Sequence, residues 1–136
     1  MKNTLTILAL ATVIGCGGSG GSGSNTNSQF AGSWDGFGIM DTTQELISLE
    51  LDVKENGKVT GNVAKTPLNG STLFGTCTGI VGSDKVLSIS LTFPDGTESL
   101  VSASMITSGN PDKWHGNGTY TRNVDTFNLN WSLNKQ

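Results

Sequence analysis

Histidine occurs once, cysteine twice and proline three times in 136 residues, and charged residues make up only 14% of the chain. Each scarcity excludes a class of chemistry. With His115 alone there is no multi-histidine metal centre, and a Ser-His-Asp relay would have to combine His115 with Asp112 and one of many serines, so His115 is expected as a surface residue instead. Sparse Lys and Arg leave no basic groove for nucleic acid and no charged, solvating tail. No apolar run approaches the roughly 20 residues of a permanent bilayer helix. Residues suited to helix surfaces give way to Gly, Ser, Thr and Asn, which disfavour helix and suit strands and turns. What remains is an all-β chain, with no catalytic machinery, no metal and no cofactor expected.

The N-terminus carries an export pattern. Lys2 precedes an apolar run over residues 5–14, about the length of a signal h-region, and the run ends Val13-Ile14-Gly15-Cys16. This segment resembles the lipobox signal of bacterial lipoproteins. The resemblance implies cleavage after residue 15, a diacylglycerol and an amide-linked acyl chain on Cys16, and residence in the bacterial cell envelope; the absence of an acidic residue directly after Cys16 implies the outer membrane in a Gram-negative host. Several acyl chains at about 0.8 kcal/mol per buried methylene anchor firmly. Residues 16–29 then form the lipidated Cys and a Gly/Ser tether, and residues 30–136 a single domain of ordinary size. No phosphate loop is read into the tether, because no strand precedes it. With Cys16 acylated, Cys77 has no disulfide partner and is expected as a small buried apolar group. Loss of Lys2 makes the net charge of −3 one unit more negative, which suits solubility and opposes binding to anionic lipid by charge.

Apolar and polar residues alternate in eight segments separated by turn signals. They are expected over residues 33–40, 44–54, 58–63, 72–81, 87–93, 98–106, 114–121 and 126–133. Alternation is clearest where Leu87, Ile89, Leu91 and Phe93 oppose Ser88, Ser90 and Thr92. It is equally plain where Phe127, Leu129, Trp131 and Leu133 oppose Thr126, Asn128, Asn130 and Ser132. Asn56-Gly57 supplies a tight hairpin and Pro94-Asp95-Gly96 another turn. Short connections imply antiparallel neighbours, and eight strands gain by closing, since an open meander leaves two unpaired edges. An eight-stranded up-and-down β-barrel is expected, with a β-sandwich as the alternative; an outer-membrane barrel is excluded by short strands and few aromatics.

Gly32-Ser33-Trp34 at the start of such a meander resembles the calycin group, the lipocalins, fatty-acid-binding proteins and avidins. That resemblance implies Trp34 closing one barrel end beneath a ligand cavity. No second lipocalin motif and no terminal helix are found, and Arg122 is placed in a turn, so no late Arg is expected over Trp34. Bulky residues such as Leu49, Leu91 and Phe127 share the interior with Gly36, Gly38, Gly61, Gly79, Gly116 and Gly118, into whose gaps neighbours are expected to expand. A packed core and a cavity both fit that pattern. Trp34, Trp114, Tyr120 and Trp131 are the expected ligand contacts if a cavity exists. Asp95 with Glu98, and Asp112 with Asn110, are expected as solvated turn groups rather than calcium ligands.

The expected function is a membrane-anchored envelope lipoprotein displaying a small β-barrel that binds a small apolar or amphipathic ligand or a partner protein. The alternatives are a structural or interaction lipoprotein with a packed core, and a glycan-binding module using exposed Trp114, Tyr120 or Trp131.

Overall fold

All eight alternating segments form strands: β1 (Gly32–Met40), β2 (Leu46–Val53), β3 (Lys58–Thr66), β4 (Leu73–Val81), β5 (Leu87–Phe93), β6 (Gly96–Ile106), β7 (Lys113–Arg122) and β8 (Asp125–Lys135). The computed structural model describes residues 29–106 and 109–136. The signal segment, Cys16 and the tether through residue 28 lie outside the described residues. Each strand pairs antiparallel with its successor, and β1 also pairs β8, with Trp34 opposite Lys135 and Met40 opposite Leu129. The sheet is therefore a closed up-and-down barrel and not a sandwich, and closure gives every backbone edge a partner.

The turns form as their residues dictate. Gly57 adopts φ 90°, its N–H donating to the Lys54 carbonyl at 2.9 Å, while Asn56 Oδ1 accepts from the Lys58 N–H at 3.0 Å. Pro94 and Asp95 link β5 to β6, and Gly96, at φ 145°, pairs with Phe93. Strand β6 changes register against β7 between Ser102 and Ser104, a β-bulge that interrupts the ladder locally.

Period-two alternation sends one face of every strand inward. Ile47, Leu49, Leu51 and Val53 of β2, Leu87, Ile89, Leu91 and Phe93 of β5, and Leu129, Trp131 and Leu133 of β8 are all buried. The glycines serve two purposes, only one of which was expected. At Gly38 and Gly118 a Cβ would meet Trp131 Cβ at 2.9 Å and Leu100 Cδ1 at 2.8 Å, so neighbouring side chains do occupy that space. At Gly61 and Gly36, however, a Cβ would lie 2.0 Å from a backbone carbonyl oxygen, of Glu50 and Ser132 respectively. There the glycine lets two strands coil closely over one another, the device that curves a sheet enough to close at eight strands.

Among the strands that run further than the alternation implied, β3 continues to Thr66 and β7 to Arg122. These extensions carry Lys65 and Arg122 into the barrel end. The barrel thus has two unlike ends. One holds the β2–β3, β4–β5 and β6–β7 connections together with Phe30 and the chain's C-terminus. The other holds the β1–β2, β3–β4, β5–β6 and β7–β8 connections.

Candidate functional site: one interior with two unlike ends

Aromatic rings fill the end at which Phe30 enters. Phe30 sits in a short 3₁₀ turn before β1 and is 1% exposed; its carbonyl accepts the Trp34 Nε1–H at 2.8 Å. Trp114 of β7 lies between its neighbours, with ring centroids 5.0 Å from Phe30, 5.3 Å from Trp34 and 5.3 Å from Trp131, the last crossing at 86°. These are the tilted and edge-to-face arrangements that aromatic quadrupoles favour. Trp114 Nε1 and Trp131 Nε1 are buried without a hydrogen-bond partner among the described residues. Lys135, near the end of β8, places Nζ 5.6 Å from the centre of the Trp34 ring. A late cation therefore does cover Trp34, and it is Lys135, whereas the expectation had considered only an arginine.

The opposite end is ionic. Lys65 of β3 and Glu98 of β6 form a buried ion pair, and the Tyr120 hydroxyl of β7 donates to the other oxygen of Glu98. Arg122 pairs with Glu45 in the β1–β2 connection, and its Nε lies 3.5 Å from Glu98 Oε2. Asp95 Oδ2 lies 3.3 Å from Lys65 Nζ at the rim. Aromatic faces support both cations: Lys65 Nζ stands 4.5 Å from the Phe93 centroid and the Arg122 guanidinium carbon 5.4 Å from that of Phe127. Burial, and then the bond to Glu98, push the Tyr120 phenol far above its ordinary range, so it remains a proton donor.

This network corrects two expectations. Glu98 is not a solvated turn carboxylate but is 6% exposed within an ion pair. Arg122 is not in a turn; it closes β7 at the end of the barrel away from Trp34. Lys65 and Glu45 are not singled out in the sequence, and Glu98 and Arg122 are read there as turn residues, although the parity of Val59, Gly61 and Val63 already points Lys65 inward, and that of Gly118 and Tyr120 does the same for Arg122.

The residues expected at a ligand site are all inside the barrel. Trp34, Trp114 and Trp131 come together at one end, and Tyr120 belongs to the ionic end. Trp114 and Tyr120 are 0% exposed and Trp131 3%, so none presents the open ring face that stacks on a sugar, and the glycan alternative loses its platform. Between the two ends Cys77 is buried. His115 is half-buried on β7, and Asn110 Oδ1 accepts the Asp112 N–H at 3.0 Å in the β6–β7 connection. Among the described residues no three His, Cys, Asp or Glu side chains converge as a metal-ligand set.

Open grooves lie on the outer wall. One, of about 760 Å³, runs along β8, with Asn130 and Ser132 beneath Phe37 and Ile39 on one side and His115 on the other. Phe37, Ile39, Phe74 and Ile80 are exposed apolar side chains on that wall.

No protein-family model matches the chain, and no characterised protein sequence matches it. Solved structures do match its fold. EF1p2_mFAP2b bound to DFHBI is 13% identical, with a TM-score of 0.59 over 85% of this chain and 100% of the other. A fluorescence-activating β-barrel designed de novo is 11% identical, with a TM-score of 0.57 over 82% and 98%. The redesigned β-barrel mFAP0 bound to DFHBI is 16% identical, with a TM-score of 0.56 over 79% and 99%. At such identities the likeness is one of fold. The class defined by fold and interior together is a small closed β-barrel with an aromatic end and an ionic end.

Proposed function

We propose that the chain is a non-enzymatic small-molecule-binding barrel, held at a bacterial envelope membrane by acylation of Cys16. The observation that carries the binding half is the buried Lys65–Glu98–Tyr120 network. An ion pair taken out of water is seldom the most stable filling for a core, and apolar residues of equal volume commonly do as well or better. A barrel serving only as a rigid spacer has no use for one. Facing an aromatic end, it makes the interior amphipathic along its axis, which suits a small apolar or amphipathic ligand contacted by Trp34, Trp114, Tyr120 and Trp131. Two similar barrels bind the small molecule DFHBI, which supports the reading.

The anchoring half is supported by the sequence alone: Lys2, the apolar run and Val13-Ile14-Gly15-Cys16. Its location is the cell envelope, and the outer membrane in a Gram-negative host. Mass spectrometry of the mature chain from its own host tests it, with a diacylated, amide-acylated Cys16 expected and a mature terminus elsewhere counting against it. For binding, melting temperature and tryptophan emission are followed across lipids, hydrophobic metabolites and DFHBI. A ligand-dependent rise in melting temperature together with a change in emission is expected; a flat response across the panel defeats the reading.

A second reading has its own support. The inward side chains are tightly buried, and apolar Phe37 and Ile39 stand out on the wall, as they would in an interaction lipoprotein that meets an envelope protein through its outer face. Cross-linking in the host decides between them: a stoichiometric partner lost on Phe37→Ser favours this second reading.

A further inference from the structure

Two donors at the aromatic end have nothing to bond. Trp114 is 0% exposed and Trp131 3%, and the Nε1 of each is buried without a partner among the described residues. Trp34 beside them differs, since its Nε1 donates to the Phe30 carbonyl at 2.8 Å. An unpaired buried donor is destabilising, and native interiors retain few. Two on adjacent rings ask for an acceptor from outside the chain. The ionic network cannot supply one, because it lies at the other end of the barrel. The two indoles pack edge to face with their centroids 5.3 Å apart, so the two unpaired donors belong to one aromatic cluster. Trp131 is also flanked across the sheet by Gly38 and Gly116, which put no side chain beside it to compete for the indole.

We propose that Trp114 and Trp131 form a donor pair for the acceptor atom of a small planar ligand, an aromatic or conjugated molecule bearing a carbonyl, ether or aza nitrogen. This rests on the small-molecule reading above and narrows it. Phe30 and Trp34, whose rings pack on Trp114, make the surroundings of the donors aromatic and apolar. The donors are neutral and call for an acceptor without a formal charge. A pure hydrocarbon leaves both N–H groups unpaired and is the weaker ligand.

The test uses the full-length chain labelled with ¹⁵N, whose three tryptophans give three indole N–H resonances. It is titrated with 1-indanone and with indane, which share a skeleton and differ by a carbonyl in place of a methylene. Indanone is expected to move the Trp114 and Trp131 resonances downfield, to leave that of Trp34 in place, and to bind about three- to tenfold tighter than indane. Trp114→Phe and Trp131→Phe each keep an aromatic ring and remove one donor. They assign the resonances and are expected to narrow the preference for indanone over indane, which is read as the ratio of the two affinities within each variant. If one of them does not fold, the wild-type resonances and the other variant decide. Equal binding of the two probes with no downfield movement overturns the donor pair and leaves the small-molecule reading standing. Cross-relaxation from both N–H groups to a water that stays when indanone is bound assigns the acceptor to that water and overturns it too. Binding of neither probe, in a chain that binds other members of the ligand panel, overturns the donor pair alone; a chain that binds nothing in the panel loses both readings.

Discussion

Tyr120 and Glu98 meet inside the barrel, the phenol donating to one carboxylate oxygen while Lys65 holds the other. One acidic side chain from β6 thereby ties β3 to β7 across the interior. The geometry makes the three residues unequal. Glu98→Gln leaves the buried Lys65 ammonium with only the exposed Asp95 carboxylate as counter-charge and is expected to lower stability by about 3 kcal/mol, the low end for a broken buried pair. Tyr120→Phe removes a hydrogen bond and no charge, and should cost about 1–2 kcal/mol. The triple variant Lys65→Met, Glu98→Leu, Tyr120→Phe removes the whole set at similar volume and is expected to recover most of the Glu98→Gln loss. Urea unfolding midpoints at constant slope measure all three, and a triple variant weaker than Glu98→Gln would mean that the network exists for stability.

Alkaline pH acts on two groups that are neutral in the fold. Burial pushes the Cys77 thiol up from 9.0 to about 11, and burial followed by the Glu98 bond pushes Tyr120 well above 10.0. In the unfolded chain both ionise near their ordinary values. A raised folded pKa gives stability that is complete below the unfolded value and is lost as pH climbs towards the folded one. Stability should therefore begin to fall above pH 9.0 through Cys77 and fall further above pH 10.0 through Tyr120. Cys77→Val should remove the earlier decline and keep the later one. Urea midpoints at steps from neutral to alkaline pH give the answer, and an unchanged early slope in Cys77→Val would contradict it.

Glycine substitutions separate curvature from loop freedom. At Gly61 an added Cβ would sit 2.0 Å from the Glu50 carbonyl oxygen, backbone that can yield only by parting β2 from β3. Gly61→Ala is expected to destabilise by more than about 2 kcal/mol, in the range of overpacked cores. At Gly70, in the β3–β4 connection, the nearest atom to an added Cβ is Pro67 Cγ at 3.4 Å, an ordinary contact. Gly70→Ala should be neutral or stabilising by up to about 1 kcal/mol, through a less flexible unfolded chain. Thermal melts of the pair check the contrast.

The fold was readable because its signal is local. Alternation in β5 and β8 and the Asn56-Gly57 and Pro94-Asp95-Gly96 turns need no knowledge of the rest of the chain, and strand count with short connections then led to closure. The ionic end was not readable in the same way. Lys65 and Arg122 look like the polar residues that end a strand, and only partners far along the chain make their burial tolerable: Glu98 is 33 residues from Lys65, and Glu45 is 77 from Arg122. The aromatic end lies between these cases. Each ring's inward parity was visible, but their mutual contact depends on strand stagger, which no local pattern specifies.

The plug formed by Phe30 and Trp34 yields a last prediction. Its hydrogen bond spans four residues, so it costs little loop closure, and its ring contact with Trp114 couples the start of the domain to β7. Phe30→Ala removes a buried ring from a packed end and should cost about 3–5 kcal/mol. Trp34→Phe keeps a ring but leaves the Phe30 carbonyl without its donor, for about 1–3 kcal/mol. Lys135→Met retains the stem across Trp34 and loses only the cation, for about 0.5–1 kcal/mol at this edge of the barrel. The order Phe30→Ala, Trp34→Phe, Lys135→Met in urea midpoints is the expected result, accompanied by a red shift of tryptophan emission in Phe30→Ala as water reaches Trp114. An unshifted emission would mean that Trp114 is shielded by its neighbours on the sheet and that Phe30 is an accessory to the barrel end, not its stopper.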